Sequence, residues 1–303
     1  MKEANSIDKP KVAYTLLAGI ILAWGVNWPI MKVGIAFMPP LWFATARLLL
    51  GTVTIFFILL VTGRLRLPPR QDLPVLFTIS ILQMVGWNAL VHVALLYVEA
   101  GRSVVLTYTT PLWITPVAYY FFGESLTPRK IMGLIIGLIG LAVLFNPMGF
   151  QWGDRETVFG NFMLIGCSII WAGGMLHIRH HKWESSPLQL SFWQMLLATL
   201  LISLLAHWLY DIRETRWTAQ LVAALLYNGP IATAFCYWAA ITVTRSLPTI
   251  STAVGFQGVP VAGVIFSAVW LGEPLTATLV SGLVMIVGGM SLVNIPKRGS
   301  PQS

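Results

Sequence analysis

The feature that most constrains this chain is that it is written twice. Pro111 and the run Gly123-Glu124-Ser125-Leu126-Thr127 recur as Pro260 and Gly272-Glu273-Pro274-Leu275-Thr276, an offset of 149 residues at each landmark. The same offset carries Gly133 onto Gly282 and Gly140 onto Gly289. Further upstream the offset is 147: Trp24 falls on Trp171, Lys32 on Arg179, and Pro40-Leu41 on Pro187-Leu188. Two ungapped blocks, differing by a two-residue slip in a loop, describe one unit of about 147 residues used twice.

The composition says what the unit is made of. Of 303 residues, 56% are hydrophobic and 10% charged, against about a quarter charged in an ordinary soluble domain. Ten apolar stretches follow one another, at about 12–37, 41–62, 72–98, 103–123, 128–147, 158–179, 188–210, 218–244, 250–272 and 277–295. Each can cross about 30 Å of hydrocarbon as a helix. An all-α integral membrane protein with ten transmembrane helices is expected. Residues 1–11 are polar and run directly into a full-length span, so no cleavable signal is expected. Cys167 and Cys236 sit inside apolar stretches, which suits neither a disulfide framework nor a metal cluster.

Charge sets the orientation. With the N-terminus inside, cytoplasmic segments hold Lys2, Lys9, Lys11, Arg64, Arg66, Arg70, Arg129, Lys130, Arg179, Lys182, Arg245, Lys297 and Arg298; outer loops hold Arg102, Arg155, Arg213 and Arg216. The positive-inside rule then places both termini in the cytoplasm. The net charge of +8 is a topology signal, so nucleic acid is not expected as a partner. Each copy, 12–147 and 158–295, holds five spans. Because five is odd, the second copy enters the membrane upside down, and the two should be related by a pseudo-twofold axis in the membrane plane. Secondary transporters are built this way, with their site near the midplane between the repeats.

Polar groups at depth mark where such a site would lie. A charged side chain at a helix centre costs about 2.5–3.5 kcal/mol on insertion scales. Lys32 is late enough in its span to snorkel. Arg47 lies about two turns inside the second span, suited to a substrate carboxylate or to helix-end carbonyls. In the third span Gln83 shares a face with Trp87, and Asn88 with His92, each pair four residues apart. Trp24, Asn27 and Trp171 point to the same interior if the repeat symmetry holds. Tyr108, Tyr237, Trp238 and Gln257 complete the candidate substrate-binding set. Pro111 and Pro260, each among polar or small residues, are expected to act as hinges lining the cavity.

Other features have plainer readings. In the Gly-Glu-x-Leu-Thr units, glycine ends one helix and Thr127 or Thr276 caps the next, so Glu124 and Glu273 are not expected to be coupling carboxylates. His177, His180 and His181 cluster at the predicted cytoplasmic edge beside Arg179 and Lys182, where solvation explains them better than a metal string. The small-residue stripes at Gly133, Gly137 and Gly140, and at Ser281, Gly282, Gly288 and Gly289, suit close packing within the chain or between chains. Monomer and homodimer both stay open. No carboxylate pair, nucleophile elbow, phosphate loop or metal spacing stands in a plausible place, so neither a catalytic residue nor a cofactor is expected.

Taken together, these residues resemble a known family. Trp24-Gly25-Val26-Asn27-Trp28 with Lys32, Pro40 and Arg47 resembles the opening of an EamA-type domain of the drug/metabolite transporter superfamily. Ala94-Leu95-Leu96-Tyr97, Ala100-Gly101, Pro111 and the Gly123 unit resemble its close. Trp171, Pro187, Ala239-Ala240, Pro260 and the Gly272 unit repeat the match. The likeness spans about residues 12–295 and implies passage of small metabolites, amino acids included, across a bacterial-type inner membrane. Nucleotide-sugar or sugar-phosphate exchange is the alternative it leaves, and a membrane-embedded sensor is a weaker one. The second copy departs from the pattern, with Gln194 at the place of Arg47 and Ala172-Gly173-Gly174 at that of Gly25-Val26-Asn27.

Overall fold

In hydrocarbon the backbone has no hydrogen-bond partner but itself, so long apolar runs fold as helices. In the computed structural model, which describes residues 10–122, 127–145, 154–246 and 255–294, all regular structure is helical. The segment 123–126 with Glu124, the segment 247–254 at the head of the ninth predicted span, and the terminal cations Lys2, Lys9, Lys297 and Arg298 lie outside the described residues.

The first half runs α1 Pro10–Ile35, α2 Pro40–Val61, α3 Leu73–Thr78, a π-helical stretch Ile79–Gly86, α4 Trp87–Tyr97, α5 Ala100–Thr107, α6 Thr110–Phe122 and α7 Pro128–Phe145. The second runs α8 Arg155–His180, α9 Pro187–Leu209, α10 Ala219–Tyr227, a π-helical stretch Asn228–Phe235, α11 Cys236–Ser246, α12 Gly258–Leu271 and α13 Ala277–Asn294. Among the described residues six stretches are long and apolar enough to cross a membrane: Val12–Ile35, Pro40–Val61, Arg70–Tyr97, Arg155–Ile178, Pro187–Leu209 and Ala219–Val243. Shorter apolar helices cover Gly258–Leu271 and Ala277–Leu292. Large apolar side chains such as Val61, Phe121, Val269 and Val284 stand exposed around the bundle, as a lipid-facing surface requires.

Local chemistry sets the ends. The Asp154, Ser186 and Thr218 side chains accept from the N–H of Thr157, Gln189 and Leu221, satisfying helix-start donors. Gly272 ends α12 in the left-handed region at φ 69°, and Thr276 Oγ1 accepts from Leu279 N at 3.2 Å. Thr127 Oγ1 likewise accepts from Lys130 N at 3.3 Å. Pro111 and Pro260 fall in the first turns of α6 and α12, where a missing N–H breaks no helical bond. Each follows a break in the helix, at Tyr108–Thr109 and at Gln257. Prolines inside described helices are Pro29 of α1, Pro116 of α6 and Pro230 in the second π-helical stretch.

Packing crosses between the halves in a reciprocal way. α1 lies against α11 and α12, while α8 lies against α4 and α6. α2 packs on the π-helical stretch 228–235, and α9 on the stretch 79–86. α7 and α13 make the tightest pair: a Cβ on Gly289 would come 2.5 Å from the Gly133 carbonyl oxygen, and one on Gly282 would come 3.1 Å from that of Gly140. Only glycine lets the two backbones approach so closely.

Candidate substrate site

Rings from both halves meet where α1, α4, α8 and α11 converge. Trp24 of α1 and Trp171 of α8 both meet Tyr237 of α11, with ring centroids 6.1 and 6.3 Å apart. From Trp171 the chain of rings continues to Trp87 at 5.9 Å and on to Trp28 at 6.1 Å. On the other side Trp24 meets Phe256 at 6.0 Å. These are edge-on or tilted contacts of the kind aromatic quadrupoles favour. Polar bonds fix the rings. Trp24 Nε1 donates to the Ala232 carbonyl at 3.0 Å, in the second π-helical stretch. Gln83, in the first such stretch, donates to the Trp171 carbonyl and accepts the Tyr237 hydroxyl at its own carbonyl, each at 3.4 Å.

Arg47 stands beside this cluster, 3% exposed. Its Nε donates to Thr233 Oγ1 at 3.1 Å and its Nη1 lies 3.0 Å from Met31 Sδ. Thr233 is one helical turn before Tyr237, so both face Arg47 from the second half. The helix-end carbonyls that could have held Arg47 are instead bound by Lys32, whose Nζ donates to Leu95 O and, at 2.9 Å, to Val98 O. Behind Arg47, His92 stacks on Phe43 at 5.7 Å and places Nδ1 2.7 Å from the Asn88 carbonyl. Asn88 donates to Met84 O at 2.6 Å. The buried polar atoms without a hydrogen-bond partner among the described residues include His92 Nε2, Asn88 Oδ1, Asn27 Oδ1 and Gln257 Oε1, and elsewhere the Gln194 amide and Asn228 Oδ1. A buried polar group without a partner costs about 1–3 kcal/mol, so each of these atoms suits a ligand or water.

The sequence candidates therefore separate. Trp24, Gln83, Trp87, Trp171 and Tyr237 form one connected cluster, with Arg47 and Tyr108 close enough to Tyr237 to interact electrostatically. Trp238 tilts on Phe235 at 6.0 Å and, like Trp24 and Phe256, packs against the cluster of Ala13, Leu17 and Ile20. Met31, Thr233 and Phe256 carried no signal in the sequence, while Trp28 stood in the Trp24–Trp28 motif without being singled out as a candidate.

Two carboxylates tie the halves together at the helix ends. Glu273, after α12, accepts from Ala100 N at 2.7 Å and Gly101 N at 2.8 Å, at the start of α5. Asp72, before α3, accepts from Ser185 N at 2.8 Å and Glu184 N at 3.2 Å, and lies 2.9 Å from His181 Nε2. His177 bonds Thr78 Oγ1 at 2.7 Å. Two of the three clustered histidines thus hold the first half to the second. Among the described residues no group of three or more His, Cys, Asp or Glu could hold a metal ion.

The profile of the EamA-like transporter family matches the chain twice, over residues 11–146 and 158–295. Among relatives, the "Uncharacterized transporter YvbV" of Bacillus subtilis is 28% identical, covering 93% of this chain and 92% of its own length. The "Probable amino-acid metabolite efflux pump" of Salmonella typhimurium is 27% identical, over 89% of this chain and 91% of its own. A chain of known crystal structure, 21% identical, shares the fold with a TM-score of 0.65, covering 94% of this chain and 96% of that one.

Proposed function

The chain belongs to the EamA-like transporter family, and we propose that it is a secondary transporter exporting small metabolites such as amino acids by alternating access. The reading has ten spans in two inverted five-helix halves, 12–147 and 158–295, with both termini in the cytoplasm of a bacterial-type inner membrane. Beyond the six long spans, the broken helix α5–α6 and the helices α7, α12 and α13 supply the other four.

One observation carries it: Trp24 and Trp171, equivalent by the repeat, converge on one tyrosine between the halves. A site built from both halves changes whenever they rock. The reciprocal packing of α1 and α8 supports that geometry, and the Salmonella relative's name supports export. On the assigned topology Glu273 lies at the outer face and Asp72 at the inner one, so each carboxylate acts as a clamp on one side. Releasing one while the other holds gives the site access to one side at a time. Proteoliposomes test this. Saturable amino-acid or metabolite counterflow is expected, and its absence across a broad metabolite panel would reject the reading.

A further inference from the structure

The charge balance of the site narrows the cargo. At depth the site holds one guanidinium, Arg47, sealed by Thr233 and Met31. The groups near enough to interact with it electrostatically are Tyr237, Cys236 and His92, none of them a carboxylate. Every described Asp and Glu lies at a helix end or in a connection. A buried cation without an anion is a strained arrangement unless the anion comes with the ligand. Arginine's planar fork fits a carboxylate with two parallel hydrogen bonds.

The rest of the site fixes what the carboxylate is attached to. Tyr237 links Arg47 to the rings of Trp24 and Trp171, which suit a flat apolar body. Among the unpartnered acceptors of the described residues, Asn27 Oδ1, Asn88 Oδ1 and Gln257 Oε1 are neutral amides. They suit hydroxyl or amide N–H donors and provide no countercharge for an ammonium.

The geometry points to a net-anionic cargo: an aromatic monocarboxylate, anchored by Arg47 and bearing hydroxyl or acylated-amine donors rather than a free ammonium. This rests on the transport reading and narrows its substrate class away from zwitterionic amino acids.

The test uses the purified full chain and quenching of its tryptophan fluorescence near neutral pH. Three probes share one aromatic body: 3-phenylpropanoate as anion, phenylalanine as zwitterion and 2-phenylethylamine as cation. The anion is expected to bind at least about tenfold tighter than the zwitterion, with the cation weakest. Arg47→Gln is expected to weaken the anion by at least about tenfold, while Arg47→Lys retains the preference for it. If Arg47→Gln fails to fold, the order of the three probes on the wild-type chain decides. Equal or tighter binding of phenylalanine or the amine, no binding of any probe, or a folded Arg47→Gln chain that binds the anion unchanged would each overturn the inference. Saturable phenylalanine flux without anion preference would sink the inference and leave transport standing. Anion binding with no flux of any metabolite would do the reverse.

Discussion

The hydroxyls of Thr52 and Thr199 lie 3.2 Å apart, and the two residues are separated by 147 positions, the offset of the upstream repeat. A group can touch its own symmetry mate only on the symmetry axis. In the proposed architecture the pseudo-twofold axis therefore runs between α2 and α9 at this pair, and leaves between α7 and α13 among the crossed glycines. Each threonine also bonds the carbonyl one turn back, at 2.8 Å to Leu48 O and 2.7 Å to Met195 O. Thr52→Val and Thr199→Val are expected to couple by about 0.5–1.5 kcal/mol in a double-mutant cycle of thermal stability. Strict additivity would show that the hydroxyl pair contributes nothing.

The glycine seam makes a positional prediction. A Cβ on Gly289 would meet the Gly133 oxygen and the Gly137 nitrogen at 2.5 and 2.7 Å, whereas one on Gly288 would meet nothing within 4 Å. Gly289→Leu is expected to cost at least about 1–3 kcal/mol. Gly288→Leu is expected to stay within about 0.5 kcal/mol. Melting curves in detergent, with Gly288→Leu as the control, read the contrast.

The two clamps predict opposite shifts. Glu273→Ala leaves two helix-start N–H groups without their carboxylate and is expected to cost about 1–2 kcal/mol. With the outer face loosened, Cys236, buried beside Tyr237, should label faster from outside in a Cys167→Ser background. Asp72→Asn should instead favour labelling from inside. Identical labelling of both variants from the same side would contradict the assignment.

Tryptophan substitutions separate the site from its surroundings. Trp24→Ala and Trp171→Ala each remove a ring that meets Tyr237. Each is expected to weaken apparent affinity for cargo about two- to tenfold. Trp238→Ala, on the neighbouring face, should leave affinity unchanged. Counterflow at varied substrate concentration distinguishes them, and a Trp238 effect as large as the other two would redraw the site.

Glu99, between α4 and α5, sets a pH dependence. Burial raises its carboxyl above the ordinary carboxylate range, and the nearby Glu273 charge adds to the rise while Arg102 and Lys32 oppose it. The folded chain then holds this proton more tightly than the unfolded chain. Its stabilising effect is full below the ordinary carboxylate pKa and is lost as pH rises through the raised value. Acidification from neutrality should therefore stabilise the wild type relative to Glu99→Gln. A flat or inverted difference in melting temperature across that range would refute it.

Much of this was legible because lipid makes polarity expensive. Gln83, Asn88 and His92 stand out in an apolar run, and the structure brings them beside Trp171, Met84 and Phe43. Trp238 adjoins Tyr237 in sequence, yet successive residues of a helix point about 100° apart, and its ring meets Phe235. Glu273 read as a loop charge and Asp72 drew no reading, and their partners were invisible because the bonds run largely to backbone N–H groups, which every residue but proline has. The π-helical stretches left no trace either. A change of hydrogen-bond span from four residues to five needs no change in composition.

Those two stretches, 79–86 and 228–235, sit 149 residues apart and each packs on a helix of the opposite half. A turn closed over five residues holds one more than a turn closed over four, and that surplus can travel along a rod like a dislocation through a crystal. Moving it by one place swivels the side chains it passes by about 100° without snapping the rod. The bundle thus carries matched slack in both halves, and Gln83 and Thr233, which hold Trp171 and Arg47, ride on it.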